Sequence, residues 1–99
     1  MKSIIQTKKQ CFTCGAVQNL QLHHTWHGTA NRKLCDKDGL TVWLCLRCHM
    51  ELHDKGINDR FLMEIGERAW LKETGKTVKD FIERYGKNVI YGAKEDYKG

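Results

Sequence analysis

The chain has 99 residues, 17 Lys+Arg against 12 Asp+Glu, and a formal net charge of +5 with its histidines neutral. That length makes one domain, residues 1–99, with one modest core, and a chain so small commonly needs a staple. The basic balance suits a polyanionic partner. No stretch approaches a transmembrane span or the apolar region of a signal peptide, so a cytoplasmic setting with no membrane association is expected. There, clustered cysteines hold metal more often than they form disulfides.

Residues 1–10 are polar, with Lys2, Lys8 and Lys9, and read as a loose arm or a short strand. A frayed terminus is the better reading than a DNA-contacting tail. Cys11-Phe12-Thr13-Cys14-Gly15 follows. Two thiolates separated by two residues reach one ion when the chain turns sharply, and the glycine after them permits that turn. Alone, such a pair could be a redox dithiol. A second pair, Cys45-Leu46-Arg47-Cys48, completes a four-thiolate set for a structural zinc. Cys35 is left over, as a small filler.

Leu20 to His24 alternates apolar and polar and predicts a strand. Thr25 to Gly39 is polar and predicts a loop, with a helical turn around Ala30 to Cys35. Leu40 to Leu44 is β-rich and predicts the returning strand. A helix is expected from Leu46, ended by Gly56. Together these make a core over residues 11–56. The second cysteine pair falls at the strand-to-helix junction, the layout of a treble-clef zinc fold.

C-terminal helices are expected over residues 58–91. Asn58 is placed to cap a helix from Asp59 to Thr74, with Phe61, Ile65 and Ala69 on its apolar stripe, Leu62 beside it, and Gly66 within it at a propensity cost of about 1 kcal/mol. Thr77 to Asp80 resembles a capping box. Val78, Phe81, Ile82 and Tyr85 then recur at helical spacing before Gly86. Residues 88–91 form a short apolar end piece, and residues 92–99 read as a disordered tail. Trp26 and Trp43 are able to stack on bases, although core burial is the better reading for Trp43.

All five histidines lie between Leu20 and His53. His49 and His53, four apart on a helix, share a face and can grip one ion. Cys48 is turned about 100° from His49, so thiolates and imidazoles should face two separate sites. His23 and His24 are adjacent on a strand and point to opposite faces, which suits one residue binding metal while its neighbour works on substrate. A neutral histidine takes a proton from water near pH 7, and a divalent ion neutralises phosphate charge, so phosphodiester hydrolysis is the chemistry that fits. Two other readings stay open. His23 and His24 could be ordinary strand histidines. Cys11, Cys14, His23 and His27 could form a finger-like site, but its cysteine-to-histidine gap is shorter than the usual twelve or so, and it orphans Cys45 and Cys48.

Leu22-His23-His24, followed by Leu44 to His49 and then His53, resembles the HNH endonuclease family, most closely the small single-domain HNH proteins of phages and mobile elements. The resemblance covers about Cys11 to His53, and extends weakly to residues 81–90. It implies an α+β fold, a ββα-metal core with a structural zinc on Cys11, Cys14, Cys45 and Cys48, followed by C-terminal helices. It implies His24 as general base, and His23, His49 and His53 as ligands of a catalytic divalent ion (Mg, Mn, Ni or Zn). His27 is expected near the site but not as a ligand. The implied activity is hydrolysis of double-stranded DNA, leaving 5′-phosphate and 3′-hydroxyl ends, by a homodimer or with a phage DNA-processing partner. Arg32, Lys33 and Arg47 are the candidate nucleic-acid contacts, with Arg32 on phosphate. One departure stands out: the family's middle asparagine is replaced here by Leu40, and Asp38, Thr41 or Asn31 are the candidates to orient the base instead. The alternative to a nuclease is a non-catalytic zinc-stabilised module that binds nucleic acid or protein.

Overall fold

β-Branched and aromatic residues at Val42 and Trp43, opposite the alternating Leu20-Gln21-Leu22 run, favour a pleated pair of strands. In the computed structural model, which describes residues 2–90, β1 (Leu20–His24) and β2 (Thr41–Cys45) pair antiparallel, with His23 opposite Val42 and His24 opposite Thr41. Four helices complete the described α+β chain: α1 (Thr29–Asp38), α2 (Leu46–Lys55), α3 (Asp59–Thr74) and α4 (Val78–Tyr85). No helix among the described residues is long and apolar enough to cross a membrane. The expected tail, residues 92–99, and Tyr91 lie outside the described residues.

The connection between the strands is a ten-residue helix, longer than the single turn expected. Its sequence carries no broad apolar stripe, which is why periodicity missed it. Cys35 and the partly buried Leu34 hold it against the core around Trp26. Gly28 starts it at φ +103°, a conformation that a Cβ would resist, and so lets the chain swing from His27 into the helix.

The core has two lobes. One gathers Trp26, Cys35, Leu40, Met63, Trp70, Phe81, Tyr85 and Val89. Trp26 is fully buried and meets Phe81 edge-on at 4.9 Å, while Phe81 stacks on Tyr85 at 4.5 Å. The second lobe gathers Cys11, Val42, Leu44, Cys45, Leu52 and Leu62 under the cysteine cluster. The α3 helix serves both lobes, Met63 and Trp70 facing the first and Leu62 and Ile65 the second. Its inward face is therefore centred on Leu62, Met63, Gly66 and Trp70, and the expected stripe is rotated: Phe61 is 53% exposed.

Three other expectations change. Asn58 makes no side-chain cap; it takes a left-handed conformation at φ +65° and its carbonyl accepts from Leu62 N–H. Trp26, not Trp43, is the core tryptophan of the sheet region; Trp43 is half-buried, with Lys9 Nζ 4.7 Å from its ring centroid. The N-terminal arm is pinned rather than frayed. Ser3 Oγ donates to the Thr41 carbonyl, Ile4 N–H donates to Gly39, and Gln6 Oε1 accepts from Trp43 N–H. The capping box of α4 forms as expected, with Thr77 Oγ1 accepting from Asp80 N–H and Asp80 Oδ2 accepting from Thr77 N–H.

Candidate functional site

The two cysteine pairs meet where the knuckle before β1 packs on the β2–α2 junction. The sulfurs of Cys11, Cys14, Cys45 and Cys48 all lie within 4.8 Å of one another, and Cys14 Sγ stands 3.7 Å from Cys45 Sγ. Four thiolates around one zinc, each bonded at about 2.3 Å, have sulfurs roughly 3.8 Å apart. The cluster therefore fits a structural metal ion such as zinc. Burial works to raise the Cys11 thiol, but the Thr13 hydroxyl and the backbone around Cys45, Cys14 and Thr13 outweigh it and bring it down to about 5. The same hydroxyl works to lower Cys48, but burial and the other three sulfurs outweigh it and push it up to about 11. Four sulfurs this close share negative charge poorly without a cation, which is what a divalent ion supplies.

The α2 helix then turns its other face to the sheet. A pocket of about 260 Å³ opens beside it, lined by Leu22, His23, His24, His27, Gly28, Arg32, His49 and His53. One ligand nitrogen from each of His23, His49 and His53 falls within 4.8 Å of the other two. The separation of thiolates and imidazoles into two clusters follows the rotation between Cys48 and His49 along α2.

His23 is the deepest member, 2% exposed, and its Nε2 is buried with no hydrogen-bond partner among the described residues. Burial, and then the neighbouring His49, His27 and His53, lower its pKa to about 4. It is therefore neutral at pH 7, with a lone pair available. His49 is also lowered, by burial first and then by His53. Its Nδ1 meets Gln21 Oε1, an acceptor, so Nδ1 carries the proton and the Nε2 lone pair faces His53 Nε2 at 3.0 Å. An orphaned buried nitrogen and two convergent imidazoles form a donor set that fits a divalent transition ion.

His24 lies on the opposite face of β1 and reaches the same pocket from the strand's end. Its Nε2 is 2.8 Å from Asp36 Oδ1. An ionised carboxylate only accepts, so Nε2 carries the proton and the Nδ1 lone pair is free to take another. None of the three residues expected to orient His24 is seen hydrogen-bonded to its ring among the described residues. Asp38 binds Arg84 and the Tyr85 hydroxyl, Asn31 Nδ2 donates to the carbonyls of His27 and Tyr85, and Thr41 is its cross-strand partner. Asp36 was not legible because its helix was not: once α1 exists, Arg32 and Asp36 fall four apart on one face.

His27 is at the site, as expected, its ring 5.9 Å from His23 and its Nε2 hydrogen-bonded to Asp59 Oδ1. Of the basic candidates, Arg32 lines the pocket. Lys33 is exposed elsewhere on α1, and Arg47 stands beside Cys48 at the thiolate cluster, whose sulfur raises its pKa. Comparison of the chain with protein-family models, with curated proteins and with solved structures finds no match.

Proposed function

We propose that this chain is a metal-dependent endonuclease of HNH type, with a treble-clef, ββα-metal core held by zinc on its four cysteines. The observation that carries the reading is the pairing, in one pocket, of three convergent imidazoles with a fourth, His24, held by a carboxylate. Water is the nucleophile. His24 Nδ1 removes its proton as it attacks phosphorus, and Asp36 stabilises the imidazolium that results. His23, His49 and His53 would hold the catalytic ion, and Gln21 fixes the ring of His49. When bound, that ion neutralises charge on the phosphate and on the departing 3′ oxygen. Arg32, four residues from Asp36, positions the phosphate. A donor set of three imidazoles favours zinc or nickel over magnesium, which prefers oxygen ligands.

A binding module without chemistry accounts for the cysteines and the charge. It gives no task to the orphaned nitrogen of His23 or to the His24–Asp36 pair. The deciding experiment is cleavage of supercoiled DNA by zinc-loaded protein with Mg, Mn, Ni or Zn, beside His24→Ala. Cutting by wild type alone supports the nuclease and its base. No cutting by folded wild type with any of the four ions favours the binding module.

A further inference from the structure

On the outer face of the sheet, cross-strand partners share a side. His24 and Thr41 therefore stand on the same face as Leu22 and Trp43, one pair further along. The step between same-face pairs is roughly 7 Å, comparable to the reach of one extended nucleotide. Leu22 lines the histidine pocket and also a second groove of about 460 Å³, formed with Lys2, Ser3, Gln6, Thr41 and Trp43. Among the described residues, no acidic side chain lines that groove. Its far wall is the N-terminal arm, held along β2 by Ser3, Ile4 and Gln6. The pinned arm brings Lys2 to the groove and sets the Lys9 ammonium 4.7 Å from the centre of the indole of Trp43. A half-buried tryptophan beside exposed ammonium groups, next to the histidine pocket, is the combination that holds an unpaired base by stacking and its phosphate by charge.

We infer that this groove binds an unpaired nucleotide of a nucleic-acid strand, with the base on Trp43 and the backbone along Lys2 and Lys9. On the reading proposed above, from which it takes only the direction of the strand, that nucleotide neighbours the scissile phosphate. The preferred substrate is then single-stranded, or has an unpaired segment, in place of the fully paired duplex expected from the sequence. In the stacked state Lys9 leaves the ring for the phosphate.

The test uses zinc-loaded His24→Ala protein, which holds substrate without cutting it, titrated with a short oligonucleotide and with the matching duplex. Trp26 and Trp70 are buried at 0% and 4% exposure, so Trp43 is the tryptophan whose fluorescence a stacked base quenches. The single strand should bind more tightly than the duplex and quench this signal. Adding Trp43→Leu should weaken single-strand binding about tenfold or more, while Trp43→Phe, which retains a ring, stays near the parent. Equal affinity of Trp43→Leu and its parent, equal affinity for duplex and single strand, or no binding of the single strand, would each overturn the inference. Wild-type cleavage is read separately. Cutting with Trp43-independent binding removes the groove and keeps the nuclease; Trp43-dependent binding without cutting does the reverse.

Discussion

Asp36, on the helix between the two strands, accepts a hydrogen bond from His24, at the end of the first strand, across 2.8 Å. Asp36 is 61% exposed and His24 19%, so the pair adds little to stability; exposed ion pairs contribute roughly 0–1 kcal/mol. Its value is orientation, because it fixes the ring and leaves the lone pair on Nδ1. His24→Ala should lower cleavage by roughly 10²–10⁴-fold. Asp36→Ala should lower it less, about ten- to a hundredfold, with the metal content of both proteins unchanged. Cleavage by Asp36→Ala at the wild-type rate would show that the carboxylate has no part in the reaction.

The cysteine cluster predicts a stability effect that can be told apart from a simple thiol loss. Cys45→Ser removes one of four converging sulfurs and should release the ion, at a cost on the order of 3 kcal/mol or more. Cys35→Ser is the control. It buries a hydroxyl where the thiol now faces the Trp26 carbonyl at 3.8 Å, and should cost about 1–3 kcal/mol with zinc content intact. Chemical unfolding combined with zinc release measures both. Full zinc content in a stable Cys45→Ser protein would exclude that sulfur as a ligand.

Both clusters were legible in the sequence because each depends on local geometry. Cysteine pairs two residues apart need only a tight turn, and His49 and His53 need only one turn of helix. The partners that hold them were not legible. Gln21 reaches His49 across 28 residues, and His27 reaches Asp59 across 32. Such contacts depend on how α2 docks on β1 and where α3 begins, and neither shows in the apolar periodicity. The α1 helix has too few apolar residues to announce itself. The α3 helix faces two lobes at once, so its buried surface centres on Leu62 and Trp70, and Phe61 is left outside. Trp43 was misread for a related reason: β-propensity marks a residue for the sheet but does not say which face is covered.

Two separate clusters predict two metal ions per chain. His53→Ala should lose one and keep the zinc on the cysteines. Gln21→Leu, which leaves His49 Nδ1 without its acceptor, should weaken the histidine site about ten- to a hundredfold. Protons compete with the ion at that site, so binding should weaken as pH falls. Burial first, and then the neighbouring histidines, lowers His23 to about 4, so its nitrogen stays open to the ion down to acid pH. Calorimetric titration of zinc-loaded protein with a second divalent ion reads each of these outcomes. A wild-type protein that takes up only one ion would leave the histidines without a resident metal.

Gly66 sets two effects of opposite sign against each other. It lies in the middle of α3, where replacing glycine by alanine ordinarily gains about 1 kcal/mol. Here an added Cβ would fall well inside contact distance of Thr25 Oγ1, and 3.2 Å from Thr25 Cβ. Thr25 cannot swing aside easily. It is fully buried, and its hydroxyl donates to the Leu40 carbonyl at 2.9 Å. Thr25 also sits between His24 and Trp26, so a shift there moves the end of β1 and His24 with it. Overpacking of this kind costs about 1–3 kcal/mol and should outweigh the propensity gain. Gly66→Ala is therefore expected to lower stability by roughly 1 kcal/mol. Thr25→Ala in the same chain should recover part of that loss, because it removes the clashing hydroxyl. A more stable Gly66→Ala protein would mean that helix propensity wins and that the α3–β1 contact is looser than the geometry requires.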